Sequence, residues 1–412
     1  MREMKNSGIE WIGDIPSDWD IIPHKVVMHK QKDICEHYNG EDIISLTMGG
    51  VVVRDLTAGG KMPTTFDGYQ YVEEEDLLLC LFDIDVTPRC VGVVRNNGIT
   101  SPAYSRFKVH NGFYNCYYDY LLRSIDNDKV FVHLSKNLRS SLTETDFGAI
   151  KTIVPSFNEQ KRIADFLDEK CAEIDTVIEK TKVTIEEYKR LKQSVITQAV
   201  TKGIRPNRPM KDSGIEWIGE IPADWDVKRG KAILTLLEKP VRETDSVITC
   251  FRDGQVTLRS NRREDGFTFS LQEVGYQGID VGDLVVHGMD GFAGAIGISD
   301  SRGKGTPVLN VMDSTENKRY IMYYLRNMAY NGVFIALATG IRVRSCDTNW
   351  NKLKNLPYII PSHSEQQEIV DYIDRRCSEI DELIAKKTTL LSELESYKKS
   401  LIYEYVTGKK EV

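Results

Sequence analysis

The amino-acid sequence contains the same unit twice, at a constant offset. Residues 4–20 read MKNSGIEWIGDIPSDWD and residues 210–226 read MKDSGIEWIGEIPADWD, so 14 of 17 positions are identical at a shift of 206. The same shift relates residues 153–175 (IVPSFNEQKRIADFLDEKCAEID) to residues 359–381 (IIPSHSEQQEIVDYIDRRCSEID). Units of this length are each the size of a domain, so the duplication predicts two similar folding units and not a solenoid of short repeats.

The stretches between the matched segments, residues 21–150 and 227–356, have much less in common. Short apolar runs such as IISLTMGGVVV, DLLLCLF, VGVV, DLVV and GAIGI are bounded by Gly, Pro and Asp, which predicts strands joined by turns. The runs YYDYLLRSI and RYIMYYLRNM predict short helices. Each stretch is therefore predicted to be a mixed α/β (α+β) domain, with a shared frame and different contents.

Each unit is predicted to end in a long helix. Ser156 with Glu159, and Ser362 with Glu365, have the spacing of a capping box directly after a proline. About four heptads of apolar residues follow in each helix, with charged residues on the other faces, which favours a coiled coil over a helix packed only on its own domain. The predicted seam consists of Leu167, Cys171, Ile174, Ile178, Thr181, Ile185, Tyr188, Lys192 and Val195 in the first helix, and of Ile373, Cys377, Ile380, Ile384, Lys387, Leu391, Leu394, Lys398 and Leu401 in the second.

The polar seam positions allow two interpretations. Lys192 and Lys398 are related by the same shift of 206. Polar seam residues can fix the register of a coiled coil, and long lysine side chains can also extend from its edge into water. The sequence does not choose between these roles.

The predicted domain order is head, helix, head, helix. We define head 1 as residues 1–152, the first helical spacer as 153–205, head 2 as 206–358 and the second spacer as 359–412. Such an order favours a pseudo-twofold arrangement in which the two helices pair antiparallel. Duplex DNA has pseudo-twofold axes of its own, so two different heads could each face one half-site, with the helix length setting the unread spacer.

With these features, the chain resembles the specificity subunits of type I restriction-modification systems. The resemblance is carried by the paired SGIEWIGDIP and SGIEWIGEIP openings and by the paired P-S-x-x-E-Q-x-x-I helix starts, in an order that covers essentially the whole chain. It implies a non-catalytic subunit with two target recognition domains that directs adenine methylation, or cleavage of unmethylated DNA, at asymmetric bipartite sites. It also implies docking of two methyltransferase subunits on the helices, and of endonuclease-translocase subunits through them. No cofactor is implied in this subunit, whereas the partners would use S-adenosylmethionine, ATP and Mg.

DNA contacts are expected from basic and amide side chains on loops of the two heads. Taken singly, each is better explained as a solvated surface charge, and only the grouping between residues 252 and 263 favours a role in DNA binding. The candidates are Arg54, Arg89, Arg106, Lys108, Lys136 and Arg139 in head 1, and Arg252, Gln255, Arg259, Asn261, Arg262, Arg263, Arg302, Lys304, Arg342 and Arg344 in head 2.

Aromatic residues of the opening motifs are predicted to belong to the framework. Trp11, Trp19, Trp217 and Trp225 occur in both copies, and neighbouring aspartates would repel phosphates, so packing is favoured over base stacking. The eight cysteines form no CxxC pair and are predicted to be core thiols, with no metal site. No apolar run reaches the roughly 18 residues needed to span a membrane, which predicts a cytoplasmic protein.

Two features limit the DNA-binding hypothesis. The formal net charge is −7, whereas free-standing DNA binders are often basic, so partners are expected to supply part of the electrostatic attraction. The motifs of amino-methyltransferases, P-loops and zinc hydrolases are missing from the sequence. The alternatives are a coiled-coil interaction scaffold that reads no DNA sequence, and a stand-alone DNA enzyme with an unrecognised site.

Overall fold

The computed structural model divides the chain into two compact units. Unit 1 comprises Met1–Lys182 with Thr389–Val412, and unit 2 comprises Val183–Thr388. Each unit therefore contains one head and a part of both long helices. The described residues are 2–57, 63–87, 90–127, 129–135, 140–262, 274–337 and 348–412.

Head 1 contains thirteen named strands and four short helices within the described residues. The strands are β1 (Met4–Asn6), β2 (Asp14–Pro16), β3 (Asp20–Pro23), β4 (Met28–Gln31), β5 (Ile34–Cys35), β6 (Ile43–Thr47), β7 (Gly50–Val53), β8 (Tyr69–Val72), β9 (Leu77–Leu79), β10 (Val91–Val93), β11 (Gly98–Thr100), β12 (Ser105–Val109) and β13 (Lys151–Val154). The helices are α1 (His24–Val27), α2 (Asn115–Asn127), α3 (Val130–Leu134) and α4 (Glu144–Ala149).

After the first long helix, α5 (Phe157–Lys202), head 2 repeats this sequence of elements. Its strands are β14 (Met210–Asp212), β15 (Glu220–Pro222), β16 (Asp226–Arg229), β17 (Leu234–Leu236), β18 (Ile248–Cys250), β19 (Val256–Leu258), β20 (Gln277–Ile279), β21 (Leu284–His287), β22 (Ile296–Ile298), β23 (Gly303–Gly305), β24 (Leu309–Ser314) and β25 (Pro357–Ile360). Its helices are α6 (Lys318–Tyr330), α7 (Val333–Ala336) and α8 (Trp350–Leu353), followed by the second long helix, α9 (His363–Val406). Short 3₁₀ turns lie at Gly230–Ala232, Arg259–Asn261 and Gly291–Ala293.

The two heads have the same sheet topology. An antiparallel sheet has the order β10-β9-β12-β4 in head 1 and β22-β21-β24-β17 in head 2. A second sheet in head 1 has the order β5-β8-β11-β6-β7, with β11 parallel to β6. Head 2 has the matching pairs β20-β23 and β18-β19, and a parallel bridge between Val247 and Lys304 joins them. The predicted mixed α/β domains are confirmed, and so is their common frame.

Both long helices end just before a glycine. A glycine in the left-handed region follows each of them, Gly203 at φ +78° and Gly408 at φ +71°. This conformation is strained for residues with a side chain and satisfies the last carbonyls of a helix. At about 1.5 Å per residue, helices of 46 and 44 residues are about 70 and 65 Å long.

The two long helices pair antiparallel within each unit. In unit 1, Lys398 Nζ lies 2.6 Å from Asp175 of the other helix, and the ring of Tyr405 lies 4.5 Å from that of Phe166. The residue numbers along α9 therefore rise where those along α5 fall, so the two helices run in opposite directions. In unit 2, Lys192 Nζ lies 2.6 Å from Asp381. The two lysines therefore bridge the helices at positions related by the shift of 206, which favours the register-fixing role.

Every residue of the predicted seam is at least half-buried. The positions nearest the heads, such as Leu167 and Ile373, are fully buried. The positions midway along the helices, such as Tyr188 and Leu391, remain partly exposed. The helix pair therefore has its firmest packing beside the heads.

A glutamate in the first turn of each long helix binds the tryptophan of the head's opening motif. Trp19 Nε1 donates to Glu159 at 3.0 Å, and Trp225 Nε1 donates to Glu365 at 3.0 Å. Only half of each predicted capping box forms, because the serine accepts the glutamate amide at 3.4 and 3.3 Å while the glutamate side chain points to the tryptophan. The prediction of a reciprocal capping box is therefore wrong for the glutamate.

An arginine completes each of these clusters. Arg2 pairs with Glu159 and lies 2.6 Å from Asp18, and Arg208 pairs with Glu365 in the same way. Each guanidinium also lies over the neighbouring tryptophan ring, at 5.7 and 5.5 Å from its centroid. The charge of the helix-start glutamate is thus neutralised inside the motif that the two units share.

The glutamine after this glutamate ties the head helix to the long helix. Gln160 accepts from the amide of Tyr114 at 2.8 Å, and Gln366 accepts from the amide of Asn317 at 2.9 Å. Each glutamine also donates to the carbonyl of the proline before its helix, at 2.8 and 2.9 Å. Both glutamines are fully buried, so their polar atoms are satisfied by these bonds.

The remaining predictions concern thiols and membrane segments. The cysteines that the structure describes are buried free thiols. No helix in the described ranges is long and apolar enough to cross a bilayer.

Head 1 buries a histidine that head 2 replaces by glycine. His24 is fully buried and stacks on Phe147, with ring centroids 4.8 Å apart and planes 3° from parallel. Burial lowers its pKa from 6.5 to about 4. The equivalent position in head 2 is Gly230, where a Cβ would clash with the carbonyl of Leu353.

We expect His24 to make head 1 sensitive to acid. The unfolded histidine binds a proton below pH 6.5 and the folded one only near pH 4, so stability falls as the pH drops between these values. The His24→Phe variant keeps the stacked ring and removes this pH dependence. We therefore expect it to avoid a loss of about 2 kcal/mol in the free energy of unfolding between pH 7.5 and 5. Melting temperatures of the wild type and the variant at the two pH values measure this difference. The control is His37→Phe, because His37 is exposed. An equal pH dependence in all three proteins would contradict the assignment.

Candidate nucleic-acid interface

The structure brings three of the predicted arginines together in head 2. Arg252, Arg259 and Arg262 line a cleft of about 540 Å³ beside the β18-β19 hairpin. They come from the hairpin tip and from the 3₁₀ turn that follows it. Arginines grouped beside an exposed hairpin are a feature of surfaces that bind nucleic acid.

The arginines of the cleft are held by carboxylates and by one ring. Arg252 lies 2.9 Å from Asp290, and Arg262 lies 2.7 Å from Asp253. The Arg262 guanidinium also lies 4.2 Å from the centroid of the Phe251 ring. The side chains of Arg252 and Arg262 remain 64% and 38% exposed. These contacts therefore orient the guanidinium planes of Arg252 and Arg262, while the outer N–H groups of both arginines face solvent.

The other polar candidates of this region have different surroundings. Arg259 Nε donates to Thr249 at 3.0 Å, and Asn261 donates to Thr257 at 2.9 Å. Gln255 is exposed at the hairpin tip, where its side-chain oxygen lies 3.5 Å from Arg262. Asn261 and Arg259 therefore shape the turn, and Gln255 extends from it.

Arg302 and Lys304 lie away from this cleft. Arg302 pairs with Asp245 and Asp280 at 2.6 and 2.7 Å, and its hydrogen bonds lower the pKa of Asp245. Its charge is already matched by two carboxylates, which indicates a brace between loops. Lys304 is half-buried in β23, and its amide donates to Ser246 at 2.9 Å.

Arg106 is a structural residue of head 1. It is 2% exposed, its Nε donates to Asp76 at 2.5 Å, and its Nη1 donates to the Tyr71 carbonyl at 3.0 Å. Burial raises the pKa of Asp76, and the guanidinium opposes that rise. DNA cannot reach this arginine in the folded head, so its prediction as a DNA contact is wrong. Its neighbour Phe107 points to the opposite face of β12 and is also buried, so the strand is covered on both faces at this point.

The other described candidates of head 1 are at the surface. Lys108 lies 2.8 Å from Glu73, whose hydrogen bond raises the lysine pKa. Arg54 is half-buried just after β7, and its amide donates to Ile43 at 2.7 Å. Six predicted contacts lie outside the described residues: Arg89, Lys136, Arg139, Arg263, Arg342 and Arg344.

Sequence reasoning missed two residues that line the head 2 cleft and one that supports its hairpin tip. Phe251 and His287 line it, and burial lowers the pKa of His287. The His287 Nδ1 accepts from the amide of Asp290 at 3.0 Å, which fits a neutral ring. Arg326 of α6 donates to the Asp253 carbonyl at 2.6 Å and supports the hairpin tip. Only Phe251 adjoins the arginine cluster in sequence, so no signal pointed to the others.

The framework prediction for the tryptophans needs one correction. Trp19 and Trp225 are buried, and Trp11 packs against the core of unit 1. Trp217 is 42% exposed, although it occupies the position equivalent to Trp11. No group of side chains arranged for a metal ion occurs in the part of the chain that the structure describes.

We expect buried and exposed arginines to differ sharply in their effect on stability. Arg106→Met leaves the buried Asp76 without its cation and should lower the free energy of unfolding by about 3–5 kcal/mol. Arg252→Met breaks an exposed pair and should cost less than about 1 kcal/mol. Urea unfolding of both variants checks this difference. Equal losses in the free energy of unfolding would contradict a buried, structural role for Arg106.

Comparison with known proteins relates this chain to one family. No family model matches the sequence. A curated relative, the putative type I restriction enzyme MjaX specificity subunit of Methanocaldococcus jannaschii, is 24% identical over 233 residues, which cover 52% of this chain and 52% of that protein. The matched stretch thus spans about half the length of that relative.

Two solved structures share the fold over nearly the whole chain. One chain, from work on complex assembly and conformational transition of the type I R-M system, has a TM-score of 0.69 at 12% identity and covers 96% of this chain and 99% of its own. The HsdS subunit of Thermoanaerobacter tengcongensis has a TM-score of 0.52 at 13% identity, with 96% and 98% covered. The relative and the shared fold confirm the predicted resemblance of this chain to the specificity subunits of type I restriction-modification systems.

Proposed function

We propose that this chain supplies DNA sequence specificity to a type I restriction-modification complex in the cytoplasm. Head 1 (1–152) and head 2 (206–358) each read one half of an asymmetric bipartite site. The observation that carries the proposal is the contrast between the heads, which have one sheet topology and different exposed side chains. A shared frame with changed surfaces is what two readers of different half-sites require.

The long helices are proposed to set the spacer and to hold partner subunits. They carry apolar side chains that are exposed in their own units, as an unpaired helix surface for docking requires. These side chains are Val177, Val183, Leu191, Leu383, Leu390 and Tyr397. The partners are two methyltransferase subunits, which use S-adenosylmethionine, and endonuclease-translocase subunits, which use ATP and Mg. The chain itself carries no catalytic role in this scheme.

The charge distribution supports a reader that works with partners. The chain has a net charge of −7, and the described arginines of the cleft each have an internal polar partner. Phosphate neutralisation by this subunit alone would therefore be weak. The alternative, a scaffold without DNA readout, accounts for the helices and leaves the divergence of the heads unexplained.

Methylation mapping tests the proposal directly. Cells that express the partner methyltransferase with this chain should carry modified adenines at one bipartite motif, and deletion of the chain should abolish them. Replacing residues 21–150 with the matching stretch of a relative should change one half-site and preserve the other. Methylation that is independent of the chain, or that follows no bipartite motif, would support the scaffold alternative.

Helix length provides a second test. Seven residues inserted after Glu186 in α5 and seven after Lys386 in α9 keep the antiparallel pairing and add about 10 Å. The methylated motif should keep both half-sites and gain a longer spacer, by at most about three base pairs. Insertion into one helix alone is the control and should abolish methylation by breaking the register. An unchanged spacer in the double insertion would contradict the ruler role.

A further inference from the structure

Each head carries a β-hairpin at the same place in its frame. The hairpin is β6-β7 in head 1 and β18-β19 in head 2, and both pairs are antiparallel. The residue after the second strand is an arginine in both, and its amide closes the hairpin base. Arg54 donates to Ile43 at 2.7 Å, and Arg259 donates to Val247 at 3.0 Å.

A glycine on the neighbouring strand seats the first strand of each hairpin. The glycines are Gly98 of β11 and Gly303 of β23. A Cβ at Gly98 would clash with the carbonyl of Asp42, and one at Gly303 would clash with the carbonyl of Ser246. Both hairpins therefore lie directly on the backbone of the strand beside them, a close approach that only glycine permits.

A second glycine seats the other strand. A Cβ at Gly92 of β10 would lie 2.7 Å from Val51 Cγ2, and one at Gly297 of β22 would lie 2.8 Å from Val256 Cγ2. In both heads, strands of the two sheets of the head therefore pack against the inner side of the hairpin. The hairpin is a rigid part of the common frame, and its tip is the part that can differ.

The tips differ in chemistry. In head 1 the exposed residues are apolar, with Met48 70%, Val52 41% and Val53 42% exposed. In head 2 they are polar, and the side chain of Arg252 is 64% exposed beside Gln255. The frame is the same in both heads, whereas the tip changes from apolar to polar. The residues that hold the head together are therefore separate from those at the exposed tip.

We propose that this hairpin is the base-reading element of each head, with Arg252 reading a guanine and the apolar tip at Met48 reading a thymine methyl group. The inference rests on the proposed DNA-reading function and names the residues and bases involved. A two-stranded ribbon fits the major groove, where arginine pairs with guanine O6 and N7 and apolar groups contact the thymine methyl.

The carboxylates around Arg252 favour a base over a phosphate. Asp290 holds one edge of its guanidinium at 2.9 Å, and Asp253 is adjacent in sequence and exposed. These carboxylates neutralise Arg252 and Arg262, so the tip attracts the DNA backbone only weakly. A base edge is neutral and accepts from the remaining N–H groups of the arginine. Arg262, stacked on Phe251 and paired with Asp253, is a positioning residue for the same tip.

Base analogues test the assignment without altering the protein. The full chain, bound to its methyltransferase partners, is titrated with duplexes that carry its methylation motif, and single guanines are replaced by 7-deazaguanine or single thymines by deoxyuridine. We expect one 7-deazaguanine in the head 2 half-site to weaken binding about 5- to 100-fold, and one deoxyuridine in the head 1 half-site to weaken it several-fold.

Variants connect each effect to its residue. Arg252→Ala should remove the penalty of the 7-deazaguanine and relax that position, and Met48→Asn should remove the penalty of the deoxyuridine. Arg319→Ala is the matched control, because Arg319 lies on α6, is 55% exposed and is 2.7 Å from Asp374 of α9. It should retain both penalties.

Two failures are distinguishable. A wild-type complex that shows no bipartite motif overturns the proposed function, and this inference with it. A bipartite motif at which Arg252→Ala retains every guanine preference, or at which no thymine methyl matters, overturns the hairpin assignment and leaves the proposed function standing.

Discussion

The first turn of each long helix carries a glutamate and a glutamine whose side chains join three parts of one unit. Glu365 binds the indole of Trp225 and the guanidinium of Arg208, both from the segment that opens the head. Gln366 binds the amide at the start of α6. One helix turn therefore fixes the opening motif, the head helix and the long helix together, and unit 1 repeats the arrangement. Because these groups are largely buried and mutually satisfied, losing one would leave charges or amides unpaired.

This anchor explains why the two units share some sequence and differ elsewhere. The opening motif and the helix start must match each other, so both recur at the shift of 206. The sheets of the head need only apolar residues in alternation and a few glycines where strands approach closely, such as Gly98 and Gly303. Exposed tips contribute little to stability and are free to change. A head can therefore acquire a new surface without disturbing its attachment to the helices.

The sequence predicted the elements that periodicity and duplication determine. The long helices and the α/β heads follow from such local signals. The partner of the helix-start glutamate did not, because Trp19 is 140 residues from Glu159 and the capping-box spacing suggested a nearer one. Arg106 was mistaken for a surface residue because composition does not show which face of a strand is buried. The hairpins were not predicted, since Arg54 and Arg259 are 205 residues apart and therefore do not align at the common shift of 206.

Pairing each exposed arginine with a carboxylate has a consequence for recognition. Arg252 with Asp290 contributes little net charge to the head 2 surface, so long-range attraction to DNA is weak. The pair nevertheless limits the rotamers of the guanidinium, which reduces the entropy lost when it binds a base edge. With a wrong base, the arginine stays bound to its carboxylate and forms no hydrogen bond to the base. In the proposed function, such a surface discriminates between sequences better than it binds DNA, which fits the proposal that partner subunits contribute the affinity.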